Sequence, residues 1–186
     1  MDRRDFLKTL AVTGAVMTVQ RSEAMDILAQ KLTNAGGGKV DLVAVMGGEP
    51  EAMFQRAIAE MGGMKQFIKP GQKVVVKPNI GWDKVPELAG NTNPKLVAEI
   101  VKQCLAAGAK EVTVFDHTCD DWQKCYKNSG IEAAAKAAGA KVMPAHLESY
   151  YKPVSLPKGK RMKSAKVHEA ILNSDVWINV PILKNH

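Results

Sequence analysis

The sequence has no glycine-rich phosphate loop, no serine in a nucleophile elbow and no His-Glu-x-x-His helix. The first absence removes the Walker and dinucleotide-binding readings. Gly47-Gly48 follows an apolar run, but Glu49-Pro50 supplies neither a later glycine nor the phosphate-binding lysine. The other two remove the α/β-hydrolase and zinc-protease arrangements. Aromatics are few, and three tryptophans with three tyrosines give no regular platform on which bases could stack. The formal charge is +7, but the basic residues read as scattered, with no recognisable docking element. That balance argues against nucleic acid as a partner and leaves room for a small anionic ligand. What is present is ordinary: 186 residues with 46% apolar content suit one packed domain rather than a disordered chain.

Export is the clearest signal. Asp2-Arg3-Arg4-Asp5-Phe6-Leu7-Lys8 opens the chain, and Thr9 to Val19 is mostly small and apolar. A basic start before a short hydrophobic stretch is the order of an export signal, and this stretch is too short to cross a bilayer securely. The paired arginines resemble a twin-arginine signal, with Asp2 where Ser or Thr is commoner. Small residues at Ser22 and Ala24 place cleavage after Ala24, with Ala35 as a second candidate. Residues 1–24 are then the signal, 25–39 a flexible leader and 40–186 the folded domain. The resemblance implies the twin-arginine machinery as a partner and a periplasmic or extracytoplasmic location, with a mature form that does not span the membrane. That machinery moves folded proteins, so a cofactor can be inserted before export.

From Val40 onward, short strands alternate with helices. Val40 to Met46 is a short apolar run that reads as the first strand, and Glu51 to Met61 places Met53, Phe54, Ala57, Ile58 and Met61 at helical spacing. Lys73 to Lys77 is a β-branched strand after the Pro70-Gly71 turn. Asn93-Pro94 caps and opens a helix that Gly108 ends, and Glu111 to Phe115 is the next strand. A second alanine-rich helix runs from Asn128 or Ser129 to Gly139, before a brief strand at Lys141 to Met143. Tyr150 to Lys163 reads as irregular, Val167 to Leu172 as a short helix and Asp175 to Val180 as the last strand. The expected fold is a mostly parallel sheet with helices on both faces, a Rossmann-like three-layer α/β architecture. The last strand is followed by Pro181 to His186 with no covering element, so the domain reads as incomplete at its C-terminus.

In such sheets ligands gather beyond the carboxyl ends of the strands. Lys77 and Asn79 follow one strand there, Asp116 and His117 the next, and Asn179, Lys184 and His186 surround the exit from the last. Lys77 and Lys184 can neutralise an anion, while Asn79 and Asn179 can orient it. His117, Lys184 and His186 are the candidates for acid–base work, and Asp116 can hold His117 in one tautomer or share a divalent metal with it. Cys119 and Cys125 flank Asp120, Asp121 and Trp122 in an expected loop. They suit a disulfide after export or, with Asp116 and His117, thiolate ligation of zinc or an iron–sulfur cluster. Cys104 sits in a helical stripe as a small core hydrophobe. His146 and His168 read as surface or structural histidines.

Several of these segments together resemble a known family. Val76-Lys77-Pro78-Asn79, Thr92-Asn93-Pro94, the helix end Ala107-Gly108-Ala109, Ser129-Gly130-Ile131 and the run from Ser174 to His186 are similar to the domain-of-unknown-function family numbered 362. The resemblance implies an amino-terminal portion of that domain, because its members continue past the lysine-x-histidine element. It also makes Lys77, Asn79, Asn179, Lys184 and His186 stronger site candidates. It supplies no reaction. The resulting expectation is an exported redox- or metal-associated protein that binds a small anionic ligand or cofactor and meets a redox partner. The alternatives are a non-catalytic accessory or binding protein, or an inactive truncated fragment.

Overall fold

The computed structural model describes residues 40–185. The signal and leader segments and His186 lie outside the described residues. In chain order the elements are α1 (Pro50–Glu60), β1 (Lys73–Pro78), α2 (Pro94–Ala106), β2 (Glu111–Val114), α3 (Trp122–Asn128), α4 (Ile131–Ala137), β3 (Lys141–Val142), β4 (Tyr151–Ser155), β5 (Ser164–His168), α5 (Glu169–Leu172) and β6 (Val176–Val180).

β1 owes its central place to its composition. Val74, Val75 and Val76 are each no more than 1% exposed, so this strand is covered on both faces. A run without polar alternation is what a buried parallel strand requires. It pairs in parallel with β2 on one side and β6 on the other, and β3 completes the order β3-β2-β1-β6.

Alternate residues sort the packing. Val74, Val76, Val112 and Val114 meet Ile58 of α1, Val97 and Ile100 of α2, Tyr126 of α3 and Ile131 of α4 in the main core. Val75 and Phe115 face the other way, against Ala145 and Ala170 of α5, with Tyr151 and Ile171 packed beside them. The fold is therefore α/β, a parallel sheet with helices on both faces. On the thinner face, a β4–β5 antiparallel hairpin stands beside α5.

The joints follow local chemistry. Asn93 caps α2 by accepting the Lys95 N–H at 2.9 Å, and Pro94 takes the first helical position. Gly108 ends the turn after α2 at φ +103°, which lets the Ala109 N–H reach the Cys104 carbonyl at 3.1 Å. A Cβ there would also sit 3.2 Å from the Pro70 Cα.

Four expectations are corrected. Val40 to Met46 forms no strand; Leu42 and Met46 are 85% and 87% exposed, with no ladder partner among the described residues. An apolar run becomes a strand only beside a partner. The segment around Trp122 and Cys125 is helical rather than a loop. Asp121 caps α3 by accepting the Lys124 N–H at 2.9 Å, and Cys125 and Tyr126 are its buried face. Residues 150–163 contain strand β4 rather than being irregular throughout. The helix expected from Val167 begins at Glu169, because Val167 and His168 belong to β5.

His168 is structural in a specific way. It is 2% exposed, stacks on Phe115 with ring centroids 4.1 Å apart and caps α5 by accepting the Ala170 N–H on Nδ1 at 3.0 Å. Nε2 then carries the ring proton toward the Pro144 carbonyl at 3.2 Å. Burial pushes this imidazole below its ordinary value of 6.5, opposed by the Pro144 carbonyl and by Glu169. The unfolded chain therefore takes up the proton first as pH falls through that value, and stability is lost on the acid side. His168→Asn keeps a capping oxygen, so its melting temperature is expected to fall less steeply with acid than that of the native protein. An identical acid slope in a thermal melt series would contradict this assignment.

Candidate functional site

The chain passes from β1 to β2 and β3 on one side of the sheet, then returns to add β6 on the other side of β1. Strand order thus reverses at β1, and the crevice beyond the carboxyl ends of β1 and β6 is the switch point where such sheets bind ligands.

The three segments expected at this rim do meet. The Lys77 ammonium lies 2.5 Å from Asp116 Oδ1, and Asp116 Oδ2 accepts the Ile80 N–H at 2.7 Å. Asp116 is 3% exposed, so both its oxygens are used inside the protein. Thr92 ties the other two segments together: its hydroxyl accepts the Asn79 N–H and donates to the Val180 carbonyl, both at 2.8 Å. Asn91, 6% exposed, clamps the loop by accepting the Trp82 N–H at 3.1 Å and donating to the Trp82 carbonyl at 2.8 Å.

On this frame Lys184 reaches back across the crevice. Its ammonium donates to Asn79 Oδ1 at 2.9 Å and to the Gly90 carbonyl at 2.5 Å, and it stands 5.6 Å from the centre of the Trp82 ring. All three partners are neutral, so the positive charge of Lys184 is oriented without being cancelled. Lys77 differs, because the Asp116 carboxylate already balances it. Asn179 pairs in register with Lys77 and therefore presents its side chain on the same face of the sheet.

Beside the rim an open cleft of about 450 Å³ is lined by Lys77, Phe115, His117, Tyr151, Lys166 and Trp177, among others. His117 Nδ1 lies 2.9 Å from the Ala145 carbonyl and 3.0 Å from the Tyr151 hydroxyl, which itself donates to Ala145 at 3.0 Å. A carbonyl only accepts, so Nδ1 carries the ring proton and Nε2 keeps the lone pair. That tautomer gives His117 one basic nitrogen for proton transfer or for a metal. The orienting group is Tyr151 with Ala145, not Asp116 as adjacency in sequence suggested.

The four expected metal ligands do not converge as a set. Among the described residues no group of three His, Cys, Asp or Glu side chains is placed to hold a metal ion. Asp116 is committed to Lys77 and Ile80. Cys104, Cys119 and Cys125 are free thiols. Cys125 is buried, its thiol 3.7 Å from the Gly81 carbonyl, and burial followed by the Asp120 charge pushes it up to about 11. Burial pushes Cys104 to about 12. A thiol-directed alkylating reagent is therefore expected to modify exposed Cys119 first, and Cys104 and Cys125 only on unfolding. Three equal modification rates by mass spectrometry on the folded protein would contradict this placement.

Sequence reasoning missed Tyr126, Tyr151, Asn91 and the bridging role of Thr92. The Tyr126 hydroxyl, 1% exposed, accepts the Asp116 N–H at 2.8 Å and can donate to the Asp116 or Met143 carbonyl, at 2.8 and 3.0 Å. Burial pushes its phenol up, so it stays protonated beneath the strand end. Helical spacing between Trp122 and Tyr126, whose rings meet edge to face, was the available clue.

A parallel sheet whose strand order reverses at a polar rim makes this a doubly wound α/β protein, with a candidate site at the reversal. Residues 74–186, more than half the chain, match the family described as Domain of unknown function (DUF362), and the chain belongs to that family. Residues 1–19 match the twin-arginine translocation signal sequence, which assigns export across the membrane by that route and the corresponding machinery as a partner. The chain is 24% identical over 135 residues to the thylakoid-associated protein sll1697 of Synechocystis sp.. That alignment covers 73% of this chain and 40% of the relative, so the chain spans well under half of that protein's length. No solved structure matches. No helix among the described residues is long and apolar enough to cross a membrane.

Proposed function

We propose that the exported protein binds a small anionic ligand at the switch-point rim. The observation that carries this reading is the Lys184 ammonium, held over the crevice by Asn79, Gly90 and Trp82 with no carboxylate partner among the described residues. An ammonium has three N–H donors, and two are engaged, which leaves one for the ligand. Asn79 and Asn179 supply orienting amides, and Lys77 adds a cation that Asp116 holds in place. His117, with its tautomer fixed by Ala145 and Tyr151, adds a proton acceptor beside the bound anion.

Calorimetric titration of the exported protein with inorganic phosphate, sulfate and a small dicarboxylate tests the reading against neutral polyols of similar size. Saturable uptake of at least one anion, with none of the polyols, is the expected result. Equal indifference to all of them would end the proposal. A metal-associated form of the same reading uses His117 Nε2 as one ligand. It is tested by elemental analysis: stoichiometric metal in the native exported protein, lost in His117→Ala, supports it, and metal-free protein removes it.

A further inference from the structure

We propose that the tip of the β4–β5 hairpin is a membrane-docking element that takes the phosphate headgroups of an anionic lipid surface. This rests on a different part of the molecule from the rim.

Most of the basic residues are scattered along the sequence, but four of them gather here. Between Ser149 and His168 there is no acidic residue, and Lys158, Lys160, Arg161 and Lys163 fall within six positions at the turn. All four are exposed. The strand lysines are compensated, Lys166 by Glu148 and Lys152 more loosely by Glu169 at 3.8 Å. No ion pair among the described residues engages the four at the tip. They are four of the chain's 26 lysines and arginines, gathered at one end of a hairpin.

The tip is also shaped. The Leu156 N–H donates to the Lys163 carbonyl at 2.8 Å, closing the loop, and the Gly159 N–H returns to the Leu156 carbonyl at 2.9 Å. A Cβ on Gly159 would lie 2.0 Å from the Met162 carbonyl oxygen, so only glycine fits this turn. A loop already folded loses less freedom on docking than a flexible tail carrying the same charge.

Two features select a lipid surface among extended polyanions. Met162 is 59% exposed in the middle of the basic cluster, and a flexible apolar side chain among cations suits an interface with hydrocarbon beneath its phosphates. The turn has no aromatic side chain on which a base could stack, which disfavours single-stranded nucleic acid. The export signal further places the folded domain across the membrane, where a bilayer face is at hand.

The test is vesicle co-sedimentation of protein recovered after export, so that no signal peptide contributes. The vesicles are equimolar phosphatidylglycerol and phosphatidylcholine in one series and phosphatidylcholine alone in the other. Binding to the anionic vesicles only, falling with added salt, is expected. Each tip charge contributes about fivefold, so replacing all four by serine should weaken binding by a hundredfold or more. The side chains are exposed, so the melting temperature of this variant should match the native protein. Met162→Ser should weaken binding by a smaller factor at unchanged salt dependence. Equal binding to neutral vesicles, or an unaltered affinity in the four-serine variant, overturns the proposal. So does displacement by millimolar inorganic phosphate at constant ionic strength, which would assign the tip to the free ion. Tighter binding to single-stranded RNA than to the anionic vesicles would assign it to nucleic acid instead.

Discussion

Asp116→Ala is expected to lower the stability of the folded domain by about 3 kcal/mol, a fall in Tm of roughly 6–12 °C. Two things are lost together. The Ile80 N–H, buried with its residue, is left without its 2.7 Å acceptor, and the Lys77 ammonium is left without its 2.5 Å counter-charge. Lys77 is one-third exposed and can turn toward water, so most of the cost falls on the buried amide and on the space left beneath the rim. Asp116→Asn retains an acceptor for Ile80 but sets a neutral amide against the ammonium, and should fall between the alanine variant and the native protein. Thermal unfolding followed by circular dichroism checks the series. An alanine variant within about 0.5 kcal/mol of the native protein would mean that this pair does not organise the rim.

Lys184→Gln is expected to weaken anion binding by roughly tenfold to a hundredfold, with little change in Tm. Glutamine is polar and can still reach the loop, but it brings no charge. Lys184 is exposed and held by neutral acceptors, so its removal strands no buried counter-ion. Lys77→Gln should differ in its effect on Tm. It uncovers the buried Asp116 carboxylate and so costs stability as well as affinity. A calorimetric titration beside a thermal melt separates the two lysines. The account fails if Lys184→Gln loses stability and leaves anion affinity unchanged.

How much of this was legible in the sequence depended on whether the determinant was local. The cap and glycine stop of α2 are written in Asn93-Pro94 and Gly108, and the valine run of β1 announces a strand covered on both faces. α3 was hidden because the Trp122 and Tyr126 spacing was its one periodic signal, without the alanines that mark α4, and its cysteine drew attention to thiol chemistry. β4 was hidden by Pro153, which reads as a breaker. A two-stranded hairpin tolerates a residue without an N–H on its open side. Val40 to Met46 shows the converse, an apolar run that has the composition of a strand but no partner among the described residues.

The site divides along the same line. That Lys77, Asn79, Asp116, Asn179 and Lys184 lie at strand ends follows from the alternation of elements alone. Which of them touch does not. Lys77 and Asp116 are 39 residues apart and meet because β1 and β2 are neighbours in register. Asn79 and Lys184 are 105 apart and meet because β6 adds to the other side of β1. Strand order is a property of the whole fold, so the split between a compensated lysine and an uncompensated one could not be read from composition or spacing.

The most direct measurement is a map of backbone amide shifts by nuclear magnetic resonance as phosphate is titrated into the exported protein at constant ionic strength. The account predicts saturable shifts centred on Asn79, Trp82, Gly90, Asn179 and Lys184, with the α1 and α4 amides unmoved. Shifts confined to the hairpin tip, or spread evenly over surface lysines with no saturation, would contradict an anion site at the reversal of strand order.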